Sequence, residues 1–317
     1  MGSKASSLRN AISHELPLSL VEVLGPEARR YFASGYRDVR HRVSEGPSRQ
    51  GDEIHAVYAV EYPDDWSREV DDAPRTPHLS TIDAALMTLQ GIEAVGLPLG
   101  GAAGFWVRSL AMHAGSVAWE DLSSVPVALR TDPQVDASER RALKGNVGNI
   151  KVECVLEASD RSGLAAEAAE RSTVYRDGYR EARTSSLVTA YDPTARVMRS
   201  AHRTTGGAAN RVYRGIESAW YPGLTVVDSL VTMGQLAQAV ILLSRGIDRA
   251  GLGTLWMRSI RFTAERPPAS QPLDWRIETE LIRDQVVARA ASGFHDVRVS
   301  CKATTGARVE ARLAYTE

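Results

Sequence analysis

The chain contains one helix written twice. Thr76 to Ala94 reads TPHLSTIDAALMTLQGIEA, and Tyr221 to Ala239 reads YPGLTVVDSLVTMGQLAQA. Aligned, Pro77 falls on Pro222, Leu79 on Leu224, Ser80 on Thr225, Asp83 on Asp228 and Gln90 on Gln235. Each copy opens with Ser or Thr followed three residues later by an acid, a helix-start signature, and continues with apolar residues at helical spacing. Asp and Gln seven residues apart lie two turns apart on one face. The remaining positions (Ile82, Ala85, Leu86, Leu89 and Ile92; Val227, Leu230, Val231, Met233, Leu236, Val240 and Ile241) are too apolar for a surface. Each copy therefore predicts a buried helix with one polar line and a task at one end.

Two flanking blocks repeat in the same order. GYRDVR at Gly35 to Arg40 returns as GYREAR at Gly178 to Arg183, an offset of 143 (35 to 178). WVRSL at Trp106 to Leu110 returns as WMRSI at Trp256 to Ile260, an offset of 150 (106 to 256). The helices themselves are offset by 145 (83 to 228). Three blocks at nearly one spacing imply an internal duplication. The expected division is an arm at 1–34, a first unit at 35–159, a connection at 160–177 and a second unit at 178–317.

A length of 317 residues suits two domains or one duplicated unit, and 43% apolar with 24% charged residues is ordinary for a globular protein. A net charge of −1 argues against a dedicated nucleic-acid binder. No apolar run approaches the roughly 20 residues of a membrane span. MGSKASSLRNAISHELPL lacks a secretory core, although MGSKAS fits a short myristoylation pattern. The expected location is the cytoplasm, with no membrane or nucleic-acid partner. Cys154 and Cys301, in strand-like segments, are expected to be buried thiols. The seven histidines show no metal-ligand spacing, so no metal is expected.

In order, the arm is expected to be helical near Gly25 to Ala33. Strands follow at Tyr36 to Ser44 and Glu53 to Tyr62, separated by a turn at EGPSRQGD. After the first helix, strands are expected at Phe105 to Met112, Val125 to Arg130 and Asn149 to Glu157, with DPQVDASERRALKGNVG as a polar loop. The connection is expected to be helical at SGLAAEAAERS. The second unit predicts strands at Ala182 to Ala190 and Arg196 to Arg203, then a helix from Val226 to Ser244. Four further strands are expected at Trp256 to Ala264, Leu273 to Ile282, Val286 to Ser300 (broken near Gly293) and Ala307 to Tyr315. One long apolar helix wrapped by antiparallel strands, twice over, is an α+β double hotdog.

The segment HLSTIDAAL, His78 to Leu86, resembles the HPxxLDAAL opening of the catalytic helix in double-hotdog polyketide dehydratases. That resemblance implies Asp83 as an acid, but the dehydratases' HxxxGxxxxP strand motif is absent, so their base has no counterpart. The whole chain is more similar to the avirulence protein D family, through GYRDVRHRV, STIDAALMTLQ, WVRSL and NIKVECVLE. This resemblance implies a syringolide-like product made from a β-ketoacyl thioester and a xylulose-type sugar or sugar phosphate. The A-factor synthesis proteins, also duplicated hotdogs, offer a related chemistry. The acyl group would arrive on acyl carrier protein or coenzyme A, with no further cofactor; a homodimer is one expected assembly.

Candidate catalytic residues are Asp83, His78 and Asp228. Both acids also fit plain capping boxes, which need no function. Gln90 and Gln235 are not required by capping and are suited to holding a carboxylate or a substrate carbonyl. Arg108 and Arg258, at matching places in the WxRS strands, are suited to clamping phosphate, with an outward-facing Arg or an ion pair to an Asp as the alternative. His78 is able to move a proton near neutral pH, whereas its counterpart Gly223 is not, so the duplicated site is expected to be asymmetric. His113 reads as a solvent-facing strand end. A β-hydroxyacyl dehydratase or hydratase, and a non-catalytic acyl-binding protein, are the alternatives to acyl transfer.

Overall fold

Chain order gives β1 (Leu18–Ser19), α1 (Leu20–Leu24), β2 (Arg40–Gln50), β3 (Glu53–Glu61), α2 (Thr81–Ala94), β4 (Phe105–His113), β5 (Val125–Thr131), β6 (Arg140–Val147) and β7 (Ile150–Ala158). Then follow β8 (Arg183–Asp192), β9 (Val197–Thr205), α3 (Val226–Arg245), β10 (Trp256–Ala264), β11 (Leu273–Arg289), β12 (Ser292–Ala303) and β13 (Ala307–Tyr315). The computed structural model describes residues 16–27, 30–64, 76–95, 104–132, 139–159, 172–207, 213–247, 249, 252, 254–289 and 292–315.

Both long helices start at the expected residues. Ser80 and Thr225 accept from the backbone N–H three residues on, while Asp83 and Asp228 accept from the cap's own N–H. These reciprocal bonds satisfy donors that a first turn otherwise leaves open. α3 ends on Gly246, whose left-handed backbone (φ 63°) closes onto the carbonyls of Leu242 and Leu243. Apolar side chains all round the helices are buried: Leu86, Leu89 and Ile92 in α2, and Leu236, Val240 and Ile241 in α3, are fully enclosed. Each such side chain contributes about 1.5–3 kcal/mol, so cutting Leu86 back to Ala should cost about 2–5 kcal/mol. Contrary to expectation, α3 is by itself long and apolar enough to cross a membrane, because its few polar residues are uncharged over most of its length, but 83% of that window is buried inside the protein.

All strands join one antiparallel sheet, in the order β1-β8-β9-β11-β12-β13-β10-β4-β7-β6-β5-β3-β2. Read outward from the β10–β4 pair, the order is the same on both sides: β4, β7, β6, β5, β3, β2 against β10, β13, β12, β11, β9, β8. In that central pair Ala111 faces Arg261, and the 150-residue offset of this block carries one onto the other. The pairing is therefore centred on its own pseudo-two-fold point. α2 packs on β2, β3, β5, β6 and β7, and α3 on β11, β12 and β13. Alternation sets the inner face, as in β3, where Ile54, Ala56, Tyr58 and Val60 are buried. An apolar helix held against antiparallel strands is the hotdog arrangement.

Several elements differ from expectation. The arm has its α-helix at Leu20–Leu24, where Ser19 and Glu22 form a capping box and Gly25 ends the helix; the described residues of 25–33 add no α-helix. The arm also packs on the second half: Leu18 pairs with Val188, and α1 lies against α3. β2 runs on through the expected turn to Gln50, tolerating Gly46 and Pro47 because it is an edge strand with register shifts at both sides of Glu45. The expected polar loop contains β6, in which Arg140 and Lys144 are exposed while Ala142, Leu143 and Val147 are buried. β11 continues unbroken through Arg283-Asp284-Gln285, because Asp284 is held there by Arg245 (2.7 Å) and His295 (2.9 Å). The helix expected at 162–172 and the Gly-rich segment from Gly96 fall almost wholly outside the described residues. Cys154 and Cys301 are buried free thiols.

Candidate active site

Asp83 is fully buried at the start of α2 and receives donors from four directions. His41 Nε2 on β2 donates to Oδ1 at 2.8 Å. Oδ2 accepts from Tyr31 at 3.0 Å, from the Ser80 hydroxyl and N–H, and from a short bond with Tyr62. Tyr31 and Ser80 hydroxyls also lie 2.6 Å apart, and Tyr62 reaches the His78 carbonyl at 3.0 Å. Burial would raise the Asp83 carboxyl, but the bonds from His41, Ser80 and Tyr62 outweigh it and hold the group below its ordinary value. Burial, then the Asp83 charge, pushes the Tyr31 and Tyr62 phenols well up, which keeps them hydrogen-bond donors. His41 is buried too, and its Nδ1 has no partner.

Two spaces open beside this cluster. A cavity of about 980 Å³ is lined by Tyr31, His78, Ser80, Thr81, Gln235 and Trp256, with Arg30, Arg249, Arg258 and Arg312 also on its wall. A narrow apolar slot of about 70 Å³ runs between α3 and the strands, past Ile82, Met233, Gly234, Ile260, Cys301 and Leu313. Phe32, Thr81, Gln238, Leu255 and Met257 line both, so the slot begins where the cavity ends. Gly234 makes that opening: a Cβ there would come within 3.4 Å of the Phe32 ring. The aligned residue of α2 is Leu89, which is fully buried. Thr81 and Ile82 stand at the junction, and as first-turn residues their N–H groups have no acceptor within the helix.

The other expected residues divide. His78 is on the cavity wall, its Nδ1 3.3 Å from the Thr76 carbonyl and its ring 5.3 Å from that of Trp256, but its imidazole is not paired with Asp83; His41 holds that place. Gln235 reaches the cavity and accepts from Arg30 at 2.6 Å. Gln90 instead ties α2 to the Tyr175 carbonyl at 2.9 Å. Arg258 is exposed on the cavity wall. Arg108 lies elsewhere, bonded to the Ala264 carbonyl and 3.6 Å from Glu157, so neither Arg is paired with an Asp of the helices. Gly223 bridges to Ser270, and its carbonyl accepts from Gln271. His113 is exposed at the end of β4. Among the described residues no cluster of His, Cys, Asp and Glu could hold a metal.

Asp228, at the matching start of α3, has its Thr225 cap at 2.7 and 3.0 Å and, among the described residues, no histidine partner. Burial raises its carboxyl, against the pull of the cap and of Arg37 and Arg183. The position matching Tyr31 is Val174, and the one matching His41 is Thr184. Tyr175, matching Phe32, is buried and bonded to Glu217. Burial pushes Glu217 up to about 7 and Glu93 up to about 8; Glu93 accepts from Thr173 at 2.6 Å and from the Ile216 N–H at 2.9 Å.

Comparison with solved structures gives distant likenesses. A tesB protein of Mycobacterium avium subspecies paratuberculosis is 9% identical at TM-score 0.45, covering 86% of this chain and 96% of that one. A hot dog-fold protein from Alicyclobacillus acidocaldarius is 8% identical at 0.40, covering 86% and 96%. The dehydratase domain of the CurJ module of the curacin polyketide synthase is 10% identical at 0.39, covering 87% and 98%. No curated protein sequence matches the chain significantly. Residues 16–316, which carry both helices, the Asp83 cluster and the cavity, match the family described as Pseudomonas avirulence D protein (AvrD), and the chain belongs to that family.

Proposed function

We propose that the chain is a double hotdog, with units at 35–159 and 178–317, that transfers a β-ketoacyl group from a thioester to a sugar hydroxyl. The donor is carried by acyl carrier protein or coenzyme A, the acceptor is a xylulose-type sugar or its phosphate, and the product is syringolide-like. The observation that carries this reading is the apolar slot opening from a large polar cavity at a helix N-terminus. The acyl chain lies in the slot, and the thioester carbonyl meets the Thr81 and Ile82 N–H groups, where the helix dipole favours developing negative charge. His78 takes the proton of the sugar hydroxyl as its oxygen bonds to the carbonyl carbon. The tetrahedral intermediate then expels the thiol, which leaves with that proton. Asp83 acts through others: with its oxygens occupied and no exposure, it positions Ser80 and Tyr31 on the wall. Dehydration would need Asp83 to reach the substrate, and its enclosure favours transfer. The scheme uses no cofactor.

The test is thiol release from a β-ketoacyl thioester with and without the sugar. Sugar-dependent release supports transfer. Water loss from a β-hydroxyacyl thioester supports a dehydratase instead, and inertness toward both supports a binding protein.

A further inference from the structure

Arg30 is a buried cation that no carboxylate among the described residues pairs with directly. It is 3% exposed on the wall of the large cavity. Nη1 donates to Gln235 Oε1 at 2.6 Å, Nε is 3.4 Å from the Pro26 carbonyl, and Nη2 is buried without a partner. No carboxylate among the described residues accepts from it. A guanidinium can only donate, so the Gln235 oxygen faces Arg30 and its amide N–H₂ is left as a further donor on the same wall. Burial, offset by Glu27 and reinforced by Arg249, brings Arg30 down to about 10, so it remains charged at neutral pH. The acids nearby compensate little: Glu27 acts only at a distance and is exposed, Asp296 is already held by Arg312 at 2.7 Å, and Glu120 is exposed. A protein holds an uncompensated charge in such a place at a cost in stability, which a ligand anion can offset.

We propose that Arg30, with Gln235 and the neighbouring Arg249, binds a phosphate group of the substrate. Resting on the reading of this cavity as the substrate site, the proposal adds which group is held and by what. A planar guanidinium with one nitrogen anchored and the other open suits a phosphate oxygen pair better than an ammonium would. The phosphate belongs either to the sugar acceptor or to the coenzyme arm of the donor.

Calorimetric titration of the full chain distinguishes these. The ligands are xylulose 5-phosphate against xylulose, and coenzyme A against N-acetylcysteamine. The wild type should prefer the phosphorylated member of one pair, which identifies the source. Arg30→Met should lose about ten- to hundredfold of that affinity, the worth of a charge-assisted bond. Its melting temperature should equal or exceed the wild type's, because an uncompensated charge is gone. Arg30→Lys, which keeps the charge, should bind with intermediate affinity. A phosphate-free acyl-N-acetylcysteamine should bind wild type and Arg30→Met alike; if it does while neither phosphorylated ligand depends on Arg30, this inference fails and the acyl slot stands. Equal affinity of wild type and Arg30→Met for both phosphorylated ligands would overturn it.

Discussion

The first turns of α2 and α3 share a capping box and differ in everything around it. At α2, His41, Tyr31 and Tyr62 converge on Asp83 and hold it ionised; at α3, Asp228 has its own cap, and burial drives its carboxyl up. The helix bodies differ too: Gly234 borders the slot, and its aligned residue Leu89 is fully buried. Phe32 guards the opening, whereas its counterpart Tyr175 is locked onto Glu217. The two helix starts thus sit in different surroundings: that of α2 borders the cavity, and that of α3 lies beside the buried Glu217–Tyr175 pair. A helix-start carboxylate is a cap by default, and only its surroundings turn it into part of a site.

The comparison breaks most readily at His78, which α3 lacks. His78→Gln should lower sugar-dependent thiol release by about 10²–10⁴-fold with little change in melting temperature, since the ring is half-buried at the cavity rim. Unchanged turnover would remove the base. Next come the two acids. Asp83→Asn leaves buried donors facing an amide and should cost about 3–5 kcal/mol, against about 1 kcal/mol for Asp228→Asn, measured by urea unfolding. Equal costs would mean that His41, Tyr31 and Tyr62 add nothing to the cap. Gly234→Leu, copying α2, should weaken binding of long acyl thioesters about tenfold while short ones bind as before; uniform affinity across chain lengths would contradict the slot.

The smallest effect concerns two buried acids. Glu93 and Glu217 have folded-state values of about 8 and 7, above the 4.5 of an ordinary Glu. The folded protein therefore binds more protons than the unfolded chain between pH 4.5 and 8, and these two groups lower stability as pH rises through that window. Asp83, with its lowered value, has the opposite sign: its contribution is present above the ordinary aspartate range and is lost in acid. Melting curves should show the wild type declining from pH 5 to 8 and Glu93→Gln declining less. Parallel curves would place these acids outside the balance.

Much of this was legible in the sequence because it is periodic. The helix repeat fixed both helix starts to the residue, and strand alternation found β3, β4, β7 and β13. β6 was missed because a strand with one wet face and many charges reads as a loop until its neighbours are known. His78 lies five residues before Asp83, yet the imidazole on Asp83 is that of His41, brought by β2 from 42 residues away. A signal existed: where GYRDVRHR and GYREARTS diverge, His41 aligns with Thr184, and where the helices diverge, Gly234 aligns with Leu89. Differences between copies marked the site better than their identities did. Arg30, Tyr31 and Phe32 lie in an arm without periodicity, so only the fold reveals that they line the cavity.

The central claim is that a two-fold scaffold carries one working acyl site. Its most direct test is the stoichiometry of a non-reactive acyl thioether analogue of the donor, titrated calorimetrically into the full chain. The account predicts one equivalent bound per chain, lost on Gly234→Leu. Two equivalents, or one that survives Gly234→Leu unchanged, would contradict it.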